Sequence, residues 1–142
     1  HSDLVGILVR VLQRLGSHRA LVVHGVDGLD EVSLSGPTLV GELKEGEIRE
    51  YQIKPEDFGI APAPIGALQV ANPAESIARM KAVLANEHGP SLDIVLLNAG
   101  AALYAAGHAD SIAAGIAQAR EAIASGAALN KLNEFVACTQ VV

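Results

Sequence analysis

The 142-residue sequence has no tryptophan, two phenylalanines, two tyrosines and a single cysteine. A lone Cys138 excludes an internal disulfide framework and suits a reducing compartment such as the cytoplasm, where it reads as a small core residue. So few aromatic rings leave an aliphatic core. Alanine accounts for 24 residues, 14 of them between Ala99 and Ala128. Alanine buries little area, so helices built from it must approach closely or lie against something else. Cations are also scarce. Ten Lys and Arg against 16 Asp and Glu give a net charge of −6, without the basic footprint that nucleic acid or an acidic membrane requires. The longest apolar stretch, Ile94 to Ala106, is broken by Asn98 and falls short of the roughly 20 residues of a membrane helix. No basic segment precedes an apolar run at His1-Ser2-Asp3-Leu4, so no secretory signal is expected. Absent too are a G-x-G-x-x-G turn, a Walker loop and any Cys/His spacing for zinc.

What remains is half hydrophobic and of a length that suits one folded domain of about 100–150 residues. A chain that opens on His1 rather than methionine, almost directly in a helical pattern, reads as processed or as a piece of something longer. Leu4, Ile7, Leu8, Val11, Leu12 and Leu15 recur at helical spacing and predict one apolar face. The run Arg19 to Gly25 is nearly continuous in apolar residues and predicts a buried strand of a parallel sheet. Thr38 to Leu43 and Glu47 to Ile53 predict a hairpin about Lys44-Glu45-Gly46, with Glu42, Glu45, Glu47 and Glu50 on a solvated face. A proline-rich loop from Pro55 to Pro73 follows, then four helices. The first is capped by Asn72 with Pro73 at its first position; the others open near Ser91, near Asp110 and before Leu129. The second is apolar nearly all round and is expected to be the most buried, although Gly100 within it costs up to about 1 kcal/mol of helix propensity. A helix followed by a buried strand is the α/β pattern. One strand and one hairpin are too few for a doubly wound sheet. More strands either hide in the proline-rich stretch or lie in residues outside this chain.

Chemistry concentrates after the first strand, at the edge where open α/β sheets place ligands. Asp27, Asp30 and Glu31 put three carboxylates into one glycine-containing loop, a local charge density that a cation or solvent must relieve. Mg²⁺ keeps several waters while taking one or two carboxylates plus substrate phosphates. The loop therefore reads either as a magnesium–diphosphate site or as a solvated turn with a capping acid. His24, at the strand end, reads as a hydrogen-bonded structural residue or a ligand contact. Asn98 reads as a buried amide satisfied by neighbouring backbone. No nucleophile–base arrangement is legible, so no catalytic residue is assigned.

Four blocks in order then resemble one family: Val23-His24-Gly25-Val26-Asp27-Gly28-Leu29-Asp30-Glu31, Gly36-Pro37-Thr38, Pro55-Glu56-Asp57-Phe58-Gly59, and Leu96-Leu97-Asn98-Ala99-Gly100 onward to Gly107. Together they resemble the carboxyl-terminal part of the anthranilate phosphoribosyltransferases, and the resemblance spans essentially all of the chain. It implies an α/β fold of the nucleoside phosphorylase/phosphoribosyltransferase carboxyl-terminal type: part of a mixed, mostly parallel sheet with flanking helices and a helical carboxyl-terminal region. It implies transfer of phosphoribosyl from phosphoribosyl diphosphate to anthranilate, with release of diphosphate, in tryptophan biosynthesis. Mg²⁺ is the implied cofactor, held by Asp30 and Glu31. The amino-terminal helical domain, the diphosphate-binding loop and the anthranilate contacts precede this region in the family. Residues 1–142 are thus expected to be inactive alone, and the intact enzyme to be a cytoplasmic homodimer formed through the absent domain. The rival readings are a pyrimidine nucleoside phosphorylase-like enzyme and a non-catalytic binding or regulatory domain.

Overall fold

The computed structural model describes residues 1–140. Helix α1 (Leu4–Arg14) leads into three strands, β1 (Arg19–Gly25), β2 (Thr38–Lys44) and β3 (Glu47–Ile53). Two 3₁₀ turns, Pro55–Phe58 and Ile65–Leu68, occupy the proline-rich stretch, which contributes no strand. Helices α2 (Pro73–Leu84), α3 (Pro90–Ala105), α4 (Ile112–Ala124) and α5 (Ala127–Thr139) complete the chain.

The architecture is α/β, but the expectation of a mostly parallel sheet does not describe these strands. They form a meander in the order β1-β2-β3, antiparallel throughout, with Gly25 opposite Thr38 and Lys44 opposite Glu47. The reason is the connection. Loop 26–37 contains no crossover helix, and Val26 N–H donates to the Pro37 carbonyl at 3.0 Å, so the chain turns straight back alongside β1. β2 is the central, buried strand; β1 stays half-buried along an open edge.

Successive residues of β2 face opposite sides. Val40 joins the main core with Leu34, Leu92, Leu96 and Ile116. Gly41, on the other side, receives α1. A β-carbon there would lie 3.1 Å from a methyl of Val5 and from one of Val9, so the helix rests almost on the strand backbone. That close seat puts Val5 and Val9 against the sheet and leaves the predicted apolar face of α1 turned away from it. Val5 and Val9 are buried, whereas Leu4, Ile7, Leu8, Val11 and Leu15 are exposed, Leu15 by 76%. The flank is pinned by Arg10 to Glu50 at 2.7 Å and by Gln13 to the Gly46 carbonyl at 2.6 Å.

Two further expectations fail for local reasons. Glu42 does not belong to the solvated face: it lies on the same side of β2 as Val40, is only 9% exposed, and accepts a hydrogen bond from the Tyr104 hydroxyl of α3. Cys138, on the outer turns of α5, is exposed rather than packed. Helix starts follow their caps. Asn72 Oδ1 accepts the Glu75 N–H at 2.9 Å and Ser111 Oγ accepts the Ala114 N–H at 3.1 Å, while α3 begins at Pro90 behind Gly89.

The alanine-rich helices do approach closely. A β-carbon on Gly115 of α4 would fall 2.3 Å from the Gly100 carbonyl oxygen of α3, and one on Gly100 would fall 2.4 Å from Ile116. Glycine at both positions lets the two backbones touch, which accounts for the apparent propensity cost at Gly100.

Candidate functional site

β1 ends at Gly25, and loop 26–37 hangs from its carboxyl end. The loop is held at several points by its own polar side chains. Ser33 Oγ donates to Asp27 Oδ2 at 2.7 Å, and Ser35 Oγ donates to the same oxygen. Leu29 N–H donates to Asp27 Oδ1 at 3.3 Å. Ser33 N–H donates to Thr38 Oγ1 at 2.8 Å, tying the loop to the start of β2. Burial acts to raise the Asp27 pKa, but the hydrogen bonds from Ser35, Ser33 and Leu29 outweigh it and hold the carboxyl below its ordinary 3.8.

Asp27 is thereby used up inside the loop. The three carboxylates predicted as one constellation do not converge, and among the described residues no group of three His, Cys, Asp or Glu side chains is placed to cage a metal. Asp30 and Glu31 stand apart from that network. Both are exposed, and the ion pairs of the described residues lie elsewhere. The two acids sit at the mouth of an open groove of about 730 Å³ between the loop, α2 and α3, with Met80, Val83 and Ile94 among its apolar walls. Among the described residues the one cation lining it is Arg79, whose Nη2 donates to the Gln69 carbonyl at 3.2 Å and pairs with Glu75 at 3.5 Å.

Adjacent hard oxygen donors with no protein partner among the described residues suit a hydrated magnesium ion, which completes its shell with water and phosphate. They do not suit an ion that requires a closed set of protein ligands. His24 is half-buried on β1 opposite Leu39, one residue before Gly25. Asn98 behaves as its position in an apolar helix predicts, finding backbone partners. Its Oδ1 accepts the Val32 N–H at 2.8 Å, and its Nδ2 donates to the Val32 carbonyl at 2.9 Å and to the Ile94 carbonyl at 3.1 Å. Sequence reasoning missed the serines on Asp27. The pattern Ser33-x-Ser35, six and eight residues after an aspartate, was the available signal.

At the opposite end of the sheet a second polar cluster surrounds Glu42. The Arg19 guanidinium lies 5.1 Å and the Lys44 ammonium 5.4 Å from the centre of the Tyr104 ring. The hydrogen bond to Glu42 chiefly, then burial, pushes the Tyr104 phenol above 10; burial and Glu42 do the same to Tyr51.

Comparison with known proteins places these features in a lineage. Residues 1–129 match the model of the glycosyl transferase family, a/b domain. An anthranilate phosphoribosyltransferase of Acidovorax sp. (strain JS42) is 61% identical over 140 residues, covering 99% of this chain and 41% of the relative. The crystal structure of anthranilate phosphoribosyltransferase from Thermus thermophilus superimposes with a TM-score of 0.85 at 41% identity, covering 95% of this chain and 40% of that one. A serine-to-alanine variant of the Saccharomyces cerevisiae anthranilate phosphoribosyltransferase with Mg bound gives a TM-score of 0.83 at 26% identity, again covering 95% and 40%. The chain therefore spans about two fifths of the length of the curated relatives it matches.

Proposed function

Because the chain belongs to the glycosyl transferase family through its a/b domain, we propose that residues 1–142 are the carboxyl-terminal portion of that domain in an anthranilate phosphoribosyltransferase. In this reading the whole enzyme joins the amine of anthranilate to the anomeric carbon of phosphoribosyl diphosphate and releases diphosphate, a step of tryptophan biosynthesis. The identity to a transferase over 140 residues supports it over a pyrimidine nucleoside phosphorylase-like enzyme and over a non-catalytic binding or regulatory domain.

The observation that carries the proposal is the pair Asp30 and Glu31, exposed and, among the described residues, unengaged at the carboxyl end of β1 while Asp27 is spent on the loop. These two carboxylates are the residues of this chain that would hold Mg²⁺. When bound, the ion offsets negative charge on the departing diphosphate, an electrostatic contribution rather than proton transfer. The groove beside the pair is walled mostly by aliphatic side chains.

The remaining parts of the proposal lie outside these residues. The diphosphate-binding loop, the anthranilate contacts and the amino-terminal helical domain, through which the protein forms a cytoplasmic homodimer, belong to the portion that this chain does not span. That portion also supplies parallel strands along the open edge of β1 and covers the exposed Leu4, Ile7, Leu8 and Leu15 of α1.

Asp30→Asn combined with Glu31→Gln tests the reading in the full-length protein. Magnesium-dependent turnover falls by about 10-fold or more while the circular dichroism spectrum stays unchanged. Full turnover with an unchanged magnesium requirement would remove the pair from the site. The purified 142-residue polypeptide, with no other chain present, has no transferase activity; turnover by it would refute the division of labour.

A further inference from the structure

We infer that Asn98 is a positioning residue for Asp30 and Glu31, an inference that rests on reading that pair as the metal site. The amide of Asn98 grips both polar backbone groups of Val32, accepting its N–H at 2.8 Å and donating to its carbonyl at 2.9 Å. Such a two-point grip is what a neighbouring strand would supply. The Val32 N–H belongs to the peptide unit that begins at the Glu31 carbonyl, so holding it sets ψ of Glu31 and the direction in which that side chain leaves the loop. Val32 itself is 2% exposed and cannot shift sideways to relax.

The other side of the pair is fixed as well. The Leu29 carbonyl accepts the Gly25 N–H at 2.8 Å, and the Leu29 N–H is held by Asp27 at 3.3 Å. Asp30 and Glu31 are thus the two residues strung between fixed points at Leu29 and Val32. The Leu29 anchors are close in sequence, Gly25 at the end of β1 and Asp27 in the loop. Asn98 is not: it reaches from 66 residues away on α3.

The residue is well placed for this work. Its second amide hydrogen returns to the Ile94 carbonyl at 3.1 Å, locking the side chain against its own helix. Two residues further on, Gly100 seats α3 directly on the backbone of α4. A side chain on an element held so tightly aims its target more narrowly than a loop residue does. An apolar residue at position 98 would pack into the helix but would leave Val32 N–H and carbonyl without partners.

The test uses the full-length protein with Asn98→Ala beside Asp30→Asn/Glu31→Gln. Manganese binding is followed by electron paramagnetic resonance in the presence of phosphoribosyl diphosphate, and hydrogen exchange is followed over residues 25–38. Asn98→Ala weakens manganese binding about 10-fold, as loss of an orienting partner of a metal ligand does. It speeds exchange at Val32 and leaves KM for anthranilate unchanged. Should Asn98→Ala not fold, Asn98→Ser serves, because its hydroxyl reaches the Ile94 carbonyl but not both groups of Val32. A folded variant that binds manganese like the parent, while the double carboxylate variant does not, overturns the role of Asn98 and leaves the metal pair standing. Parent-like binding by the double carboxylate variant overturns both.

Discussion

Gly115 lies so close to Gly100 that a β-carbon on the first would stand 2.3 Å from the carbonyl oxygen of the second. Around Gly115 the space is filled by backbone, and around Gly100 by the Ile116 side chain with its backbone N just behind at 2.7 Å, so neither helix can yield locally. Gly115→Ala and Gly100→Ala each destabilise the protein by about 1–3 kcal/mol through overpacking, despite alanine's better helix propensity. Chemical denaturation of the full-length variants measures this, and a stabilising result would show that α3 and α4 are further apart.

The bond between Tyr104 and Glu42 makes stability sensitive to alkali. Hydrogen bonding to Glu42, then burial, raises the Tyr104 phenol above 10, and Tyr51 is raised by burial and by Glu42. A pKa higher in the folded state than in the unfolded state contributes stability that is complete below the unfolded value. It is lost as pH climbs through 10 toward the folded value. Tyr104→Phe removes the donor from a nearly buried carboxyl, costing about 1–3 kcal/mol at neutral pH, and flattens the loss above about pH 10. Denaturation midpoints across that range for parent and variant decide it.

Asp27 works at the acid end. Its carboxyl sits below the ordinary 3.8 because Ser35, Ser33 and the Leu29 N–H together outweigh burial. The depressed value means that its contribution is present above 3.8 and lost as pH falls through the folded-state value. Asp27→Asn therefore speeds hydrogen exchange over residues 26–38 near neutral pH and removes part of the loop's acid sensitivity. Equal exchange in parent and variant at neutral pH would show that the serines hold the loop without it.

Much of this was legible beforehand, and the exceptions share a cause. The strands Arg19–Gly25 and Glu47–Ile53 and the cap at Asn72 follow from local pattern, because each depends on residues within one element. The apolar face of α1 is legible from spacing, but which residues touch the sheet is not: a glycine on β2 decides that Val5 and Val9 do. Glu42 looked like one surface acid among four, and only Tyr104, 62 residues later, gives it a buried partner. At the site, Asp30 and Glu31 were visible as a loop pair, but the diversion of Asp27 to two serines was not. Asn98 was expected to find backbone; which backbone, and that it adjoins Glu31, required the fold.

The open edge of β1 also bears on what the sheet can still accept. Leu21, Val22 and Val23 are only half covered, and the outward amides of an edge strand stand ready to pair with any extended chain. β1 is therefore a side on which the sheet can still grow, by one more ladder from whatever extended segment reaches it.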